Sequence, residues 1–209
     1  MFPVVHDKVN ISLHNLSKVI KEEGIKQIDS VKAGVHVHIN VQDLTIRQVM
    51  LFLSVYYPLE TVLTKFCGEN RESNLFCLRM RDAEYTISKL EIFLQDKKVH
   101  NLHTDELRYG ALNFQSLFKY GSVEFRAMES TPSFDKILKW CDIIMSIKQY
   151  ALKVKTGKDM MYALSGYGGH ALMLEIFGEE LTKLLEYPNM EKDMIKDARL
   201  VQNFSHMLG

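Results

Sequence analysis

Hydrophobic and polar residues alternate in two short stretches of the chain, AGVHVHIN at 33–40 and GSVEFRAM at 121–128. Alternation of this kind predicts strands that have one apolar face. A further short strand is predicted for YGALNF at 109–114, joined to 121–128 by QSLFKY. The chain therefore contains few predicted strands, and they lie far apart in the sequence.

Apolar residues at helical spacing occupy most of the remaining chain. Helices are predicted over 11–24, 43–66, 82–94 and 131–154, and over two further stretches around 158–186 and 190–206. Asp43 is the predicted N-cap of the second helix, and Pro58 predicts a kink in it. Residues 95–108 are polar and predict a loop. The glycines of SGYGGHA at 165–171 do not fit a dinucleotide-binding motif and predict a break between helices.

These elements predict an α+β fold with a small, mainly antiparallel sheet covered by helices. We expect one domain over residues 1–150, which contains the strands, and a helical carboxyl-terminal extension over 151–209 packed on it. A sheet of two or three strands with one covered face is only marginally stable alone. Either the helices build most of the core, or residues outside this chain complete the sheet.

Composition narrows the classes of function. The 209 residues are 46% hydrophobic and 25% charged, which is ordinary for a soluble globular protein. Lys plus Arg and Asp plus Glu number 26 each, so no overall charge favours nucleic acid or anionic lipid. The three cysteines lack the spacing of a zinc or disulfide framework. Without a predicted signal peptide or membrane span, we expect a cytoplasmic protein with neither nucleic acid nor membrane as partner.

His36 and His38 are two residues apart on the first predicted strand, so their side chains emerge on the same face. Two neutral imidazoles at this spacing can share a divalent metal, or one can bind metal while the other meets a phosphate. The alternative is that they line a polar sheet face and hydrogen-bond to neighbouring groups. The pair alone does not decide between these interpretations.

Glu124 and Arg126 have the same relationship on the GSVEFRAM strand, with Val123 and Phe125 on the opposite face. They could form a simple ion pair, which contributes little stability when exposed. Alternatively, Glu124 is an oxygen ligand for magnesium or manganese, and Arg126 binds a phosphate or carboxylate. Two strands with polar faces of these types together predict one site for a metal and a polyanion.

The order of several short motifs resembles the phage and bacterial amidoligases, which are similar to glutamine synthetase and glutamate–cysteine ligase. The motifs are GVHVHI, NRESNLFC and RYGALNFQSLFKYGSVEFRAMEST, followed by a helix with Trp140. The matching residues are Gly34, His36, Val37, His38, Arg71, Tyr109, Leu112, Asn113, Gly121, Ser122, Glu124, Phe125, Arg126, Thr131 and Trp140. The resemblance covers about residues 30–145 and implies a sheet of glutamine-synthetase type.

The resemblance implies an ATP-dependent ligase that joins a carboxylate to an amine, through an acyl-phosphate, into an amide or isopeptide bond. ATP and Mg²⁺, or Mn²⁺, are the implied cofactors. His36 and Glu124 would be metal ligands, and His38 would lie near the nucleotide phosphates. Arg126 would be catalytic, binding the transferring phosphate or the substrate carboxylate.

Two further assignments follow from the same resemblance. Arg71 is a candidate catalytic clamp on phosphate or substrate, although an arginine at a helix end fits its position equally well. Asn113 is a candidate cofactor-binding residue that orients the site by hydrogen bonds, or it simply begins a turn.

The chain departs from the family pattern before His36. Family members have an amino-terminal portion with a G-x-E-x-E strand that supplies further metal carboxylates. Here Glu22 and Glu23 are adjacent on a predicted helix and cannot share a face. The expectation is a partial catalytic domain, completed by a protein partner that supplies the missing half, and located in the cytoplasm, which is that of the host if the chain is phage-encoded. The chain could instead be a fragment. The alternatives are a catalytically silent structural or interaction protein, and a metal-dependent hydrolase that uses His36, His38 and Glu124.

Overall fold

The computed structural model describes residues 6–25, 32–72, 74–83 and 109–207, together with residues 88, 89, 92 and 96. The strands within these residues are β1 (Gly34–Asn40), β2 (Leu112–Asn113) and β3 (Ser122–Glu129). The α-helices are α1 (His6–Glu22), α2 (Ile46–Tyr56), α3 (Glu60–Cys67), α4 (Gln115–Tyr120), α5 (Phe134–Ala151), α6 (Gly157–Tyr167), α7 (Gly169–Leu185) and α8 (Met190–Met207).

The strands form one sheet in the order β1-β3-β2, and both neighbouring pairs are antiparallel. Glu124 of β3 lies opposite His38 of β1 on one side and opposite Asn113 of β2 on the other. The small antiparallel sheet among predominant helices confirms the predicted α+β class. The strand predicted over 109–114 is shorter than expected, and only residues 112 and 113 pair with β3.

A β-bulge interrupts the pairing of β1 with β3. Val35 lies opposite Met128, but Val37 lies opposite Phe125, so His36 alone faces both Arg126 and Ala127. The extra residue in β3 shifts the alternation of its side chains. Beyond the bulge Met128, rather than Ala127, continues the apolar face of Val123 and Phe125. Met128 is therefore fully buried, as those two residues are.

The helix predicted over 43–66 is divided in two. A 3-10 helix, Tyr57–Leu59, separates α2 from α3, and Pro58 lies in its first turn as the kink prediction requires. The predicted N-cap Asp43 is wrong. Thr45 caps α2 through a reciprocal capping box with Gln48, and Asp43 instead accepts hydrogen bonds from Lys148 of α5.

Helix α5 packs on the apolar face of the sheet. Ser133 caps its first turn by accepting from the Lys136 N–H, one residue after the Pro132 predicted to begin it. Trp140 of this helix is fully buried, edge-on to Phe125 and stacked on Phe66. The side of the sheet opposite to Glu124 is thus a closed aromatic and aliphatic core.

The carboxyl-terminal helices pack against the first half of the chain. The stretch predicted as one helix around 158–186 is two helices, α6 and α7, separated by Gly168 at φ 85°. The glycine cluster therefore breaks the helix as predicted. Asp197 of α8 is buried against the start of α3, where it accepts the Thr61 N–H at 2.8 Å.

Parts of two predictions fall on residues that are not described. The predicted helix 82–94 and the predicted loop 95–108 lie mostly outside the described residues, and Asp82 belongs to a 3-10 helix, Met80–Asp82. Helix α1 begins at His6, before the predicted start at residue 11. Among the described residues, no helix combines the length and apolar character that crossing a membrane requires.

Candidate functional site

The carboxylate of Glu124 lies at the centre of the polar face of the sheet. Glu124 lies on the middle strand and is only 8% exposed. Because β1 and β2 flank this position, side chains from three strands can reach one carboxylate. The site is therefore built from segments that are distant in the sequence.

Polar groups approach each oxygen of this carboxylate. His36 Nδ1 lies 2.8 Å from Glu124 Oε1, Arg126 Nη1 donates to the same oxygen at 3.2 Å, and His38 Nε2 lies 3.6 Å from it. Asn113 Nδ2 donates to the other oxygen, Oε2, at 2.5 Å. The structure thus brings together five of the six predicted site residues: the four that strand alternation places on one face, and Asn113 from β2.

These contacts govern the ionisation of Glu124. Burial alone would raise the pKa of its carboxyl, but hydrogen bonds with His36, His38 and Asn113 and the charge of Arg126 act in the opposite direction. Their sum holds the pKa well below its usual range. Glu124 is consequently an anion throughout the neutral pH range, as a metal ligand must be.

His38 is oriented by Ser122, the first residue of β3, and by Tyr120, the last residue of α4. Its Nδ1 lies 3.1 Å from Ser122 Oγ, and the ring of Tyr120 packs edge-on to the imidazole at 5.9 Å. A partner on one ring nitrogen fixes the direction in which the other nitrogen points, here toward Glu124. Neither Ser122 nor Tyr120 was assigned a role from the sequence. Ser122 lies two residues before Glu124, so the same strand alternation could have indicated it.

Arg126 has donor capacity that the described residues do not use. Its Nη1 contacts Glu124, while its Nε is buried and has no hydrogen-bond partner among the described residues. A buried donor without an acceptor is costly, and such atoms commonly mark a position where a ligand or water binds. The planar guanidinium is suited to a carboxylate or phosphate.

Arg71 lies at the bulge of β3 rather than in the cluster around Glu124. Arg71 is 2% exposed. Its Nε donates to the backbone carbonyl of Ala127 and its Nη2 to that of Arg126, each at 2.8 Å. The predicted role of Arg71 as a clamp on phosphate or substrate stays a prediction. Each nitrogen of its guanidinium donates to a backbone carbonyl.

The distances around Glu124 Oε1 are compatible with one cation. Two ligand atoms about 2.1 Å from a metal lie roughly 3.0 Å apart at a right angle and roughly 3.4 Å apart at a tetrahedral angle. The separations from Oε1 to His36 Nδ1 and His38 Nε2 are 2.8 and 3.6 Å. Within the part of the chain that the structure describes, no three His, Cys, Asp or Glu side chains are arranged as a complete metal site. The side chains therefore fit part of a coordination sphere.

A cleft of about 640 Å³ lies elsewhere, between α1 and the start of α5. His14, Lys21 and Phe134 are among its lining residues, and no member of the Glu124 cluster lines it. The Glu124 cluster is the better candidate because it combines a buried anion, two imidazoles and an incompletely bonded guanidinium.

Comparison with known proteins gives one match. No curated protein and no solved structure matches the chain. A family model described as "Putative amidoligase enzyme" matches residues 3–147, more than half of the chain, and includes β1, β2, β3 and every residue of the Glu124 cluster. The chain therefore belongs to the amidoligase family.

Proposed function

We propose that this protein provides the metal-binding and phosphate-binding part of an ATP-dependent carboxylate–amine ligase. The observation that carries the proposal is the convergence of His36, His38 and Arg126 on one oxygen of the buried Glu124 carboxylate. Family membership supports ligase chemistry of this kind. The geometry supports a site for a cation and an anion side by side.

In this proposal His36 and Glu124 are cation ligands, and His38 lies at the edge of the nucleotide phosphates. Mg²⁺ or Mn²⁺, when bound with ATP, would neutralise charge on the phosphate oxygens during transfer. Mg²⁺ prefers six oxygen-rich ligands and usually retains waters and phosphate oxygens. Two protein donors, His36 and Glu124, would therefore leave most of its coordination sphere to waters and phosphate oxygens.

Arg126 binds the group being transferred. A substrate carboxylate oxygen attacks the γ-phosphorus of ATP, so that ADP leaves and an acyl-phosphate forms. An amine then attacks the acyl carbon and loses a proton, and inorganic phosphate leaves as the amide bond forms. Both steps gather negative charge near the guanidinium, and its buried Nε is the donor still available to offset that charge.

Asn113 and Ser122 keep the ligands in place. Asn113 fixes Glu124 Oε2, leaving Oε1 toward the two histidines, and Ser122 fixes the orientation of the His38 ring. Groups of this type commonly determine the affinity of a metal site although they do not touch the metal. Asn113 would then act on the nucleotide indirectly, through Glu124.

The outer edge of β1 supports a protein partner for this site. The Val41 N–H donates to Gly121 O, toward β3, whereas Asn40 O accepts from Lys148 Nζ on the other side. Backbone groups alternate along a strand, so those of His36 and His38 also point away from β3. Among the described residues, no strand pairs with this edge.

A strand added along that edge would lie directly beside the site. Side chains opposite His36 and His38 would project on the same face, about 5.5 Å away between Cα atoms. Carboxylates at such alternate positions would complete the cation ligands and meet the open donor of Arg126. We propose that a partner polypeptide supplies this strand.

The proposed function is tested by ligand-dependent stability. Mg²⁺ and ATP, at about 100 times the dissociation constant, should raise the melting temperature of the wild type by roughly 5–10 °C. The double variant His36→Ala, Glu124→Ala should lose this shift. His170→Ala, which removes an exposed histidine paired with Glu186, is the matched control and should retain it.

The same measurement separates the alternatives. A shift with metal alone that nucleotide does not increase favours a metal-dependent hydrolase. No shift with the wild type, alone or co-expressed with a chain that contains a G-x-E-x-E strand, favours a silent structural protein. A shift that survives the double variant would show that the site lies elsewhere.

A further inference from the structure

The bulge of β3 needs hydrogen-bond donors from outside the sheet. Where two residues oppose one, the regular ladder is interrupted and the local carbonyls lose their usual partners. At this bulge the two residues are Arg126 and Ala127, opposite His36. We propose that Arg71 is a positioning residue that holds this bulge, and thereby the Arg126 side chain, in the geometry of the site. The inference rests on the function proposed above for Arg126.

One guanidinium spans both residues of the bulge. Arg71 Nη2 donates to Arg126 O and Nε donates to Ala127 O, each at 2.8 Å. Nη1 donates to Ala33 O, immediately before β1, at 3.4 Å. The planar fork of an arginine presents donors at fixed angles, so it constrains two successive carbonyls together. Arg71 therefore joins the bulge to the beginning of β1.

Gly34 gives the guanidinium room to reach these carbonyls. A Cβ on Gly34 would lie 2.9 Å from Arg71 Nη2 and 2.9 Å from Met128 O. Contacts this short require one of the groups to move, and Met128 O belongs to the backbone of the neighbouring strand. The lack of a side chain at position 34 therefore leaves the space that the Arg71 guanidinium occupies.

The bulge matters because it separates two neighbouring side chains onto different faces. In a regular strand Arg126 and Met128 would project on the same face. With the extra residue Arg126 remains beside Glu124, where its Nη1 donates to Oε1, while Met128 is fully buried in the core. Loss of the bulge would bring an apolar side chain toward the site or move the guanidinium out of it.

The two arginines have different exposure and different partners. Each nitrogen of the Arg71 guanidinium donates to at least one backbone carbonyl, and the residue is 2% exposed. Arg126 is more exposed, contacts a carboxylate and has a buried Nε without a partner among the described residues. This geometry suits Arg71 to support the backbone of β3 and Arg126 to bind a ligand.

A double-mutant cycle tests this division of roles. Arg71→Met should weaken Mg-ATP binding by at least about tenfold, since a buried charged hydrogen-bonding group is lost. Because Arg71 acts through Arg126, the double variant Arg71→Met, Arg126→Met should bind no more weakly than Arg126→Met alone. Arg79→Met removes another buried arginine, paired with Asp82, and controls for the loss of a buried charge.

Arg71→Lys distinguishes positioning from direct contact. A lysine keeps the positive charge but cannot bond both carbonyls in the fixed geometry of the fork, so we expect it to restore little of the affinity. Additive losses in the cycle, or full affinity in Arg71→Lys, would overturn the proposal and make Arg71 a direct ligand of the nucleotide.

A second measurement does not depend on nucleotide. In the wild-type protein, NMR should detect a slowly exchanging Arg71 Nε–H with a hydrogen-bond coupling to the Ala127 carbonyl carbon. In Arg71→Lys the largest amide shifts should be at His36, Arg126 and Ala127, and in Arg79→Met these amides should not move. Rapid exchange of the Arg71 Nε–H in the wild type would refute the positioning role. Failure of the wild type to bind Mg-ATP would refute only the proposed function.

Discussion

Asn113 Nδ2 donates to Glu124 Oε2 at 2.5 Å, so a side chain of the two-residue strand β2 fixes the central carboxylate of β3. This contact explains why so short a strand is sufficient. Its second residue both pairs with β3 and orients the anion to which the two histidines and Arg126 point.

Asn113→Ala and Asn113→Asp together isolate that contact. The alanine variant leaves Glu124 Oε2 without its donor and should lose about 1–3 kcal/mol of unfolding free energy. The aspartate keeps the acceptor for the Gln115 N–H but places a second carboxylate beside Glu124, so it should be less stable than alanine at pH 7. Urea denaturation measures both. An aspartate variant as stable as the wild type would contradict the geometry.

Glu60 should make stability depend on pH. Burial raises the pKa of this carboxyl to about 8, although the Met80 N–H bond and Arg79 act against the rise. Between an ordinary pKa of 4.5 and 8 the folded protein retains a proton that the unfolded chain has lost. The unfolding free energy contributed by Glu60 therefore falls as pH rises through this window, by up to about 1.4 kcal/mol per unit, and is constant above it.

Glu60→Gln should abolish that part of the pH dependence. The variant gains stability relative to the wild type as pH rises from 5 to 8, measured by urea denaturation at several pH values. Glu179→Gln, which removes an exposed carboxyl on α7, is the control for the loss of one charge. Parallel pH profiles for wild type and Glu60→Gln would show that Glu60 ionises normally in the folded protein.

Asp197 should be required for α8 to pack. Asp197→Ala leaves the Thr61 N–H without its acceptor and the largely buried Arg81 without its ion-pair partner. Removal of one partner from a buried pair costs about 3–5 kcal/mol. Asp142→Ala, at an exposed position on α5, should change the unfolding free energy little by comparison. Similar urea midpoints for the two variants would contradict the role of Asp197.

Gly121 should resist replacement because it occupies the left-handed region at φ 63°, between α4 and β3. Gly121→Ala should lower the free energy of unfolding by about 1–2 kcal/mol, because alanine is strained in this backbone conformation. A Cβ there would also lie 2.2 Å from Gln42 Cγ, so Gln42 must move. Gly166→Ala is a control with the opposite sign, because position 166 is helical and has open space around it. In thermal unfolding, Gly121→Ala should have a lower melting temperature than the wild type, and Gly166→Ala should have a higher one.

The sequence was sufficient to predict the parts that depend on local pattern. Alternation in AGVHVHIN and GSVEFRAM predicts β1 and β3 within one residue at each end, and it predicts that His36, His38, Glu124 and Arg126 share a face. Both follow from the two-residue period of a strand, which needs no tertiary information. The cluster around Glu124 is the direct result.

Features that depend on tertiary contact could not be predicted in this way. Nothing in NRESN indicates that Arg71 bonds carbonyls more than fifty positions later in the chain, nor that β3 contains a bulge. Aspartate is a common N-cap residue, but Asp43 accepts a hydrogen bond from Lys148. Thr45 forms the cap with Gln48 instead. A residue type is compatible with several partners, and packing determines which partner it meets.

The contact between His38 and Ser122 joins residues 84 positions apart. At synthesis rates of about 5–20 residues per second, roughly 4–17 seconds separate the appearance of these two residues on the ribosome. During that time β1 exposes Val35, Val37 and Ile39 with no β3 to pair with. The growing chain must protect this apolar strand against association with other chains. A product released before residue 122 would contain both histidines and Asn113, but neither the Glu124 carboxylate nor the Arg126 guanidinium.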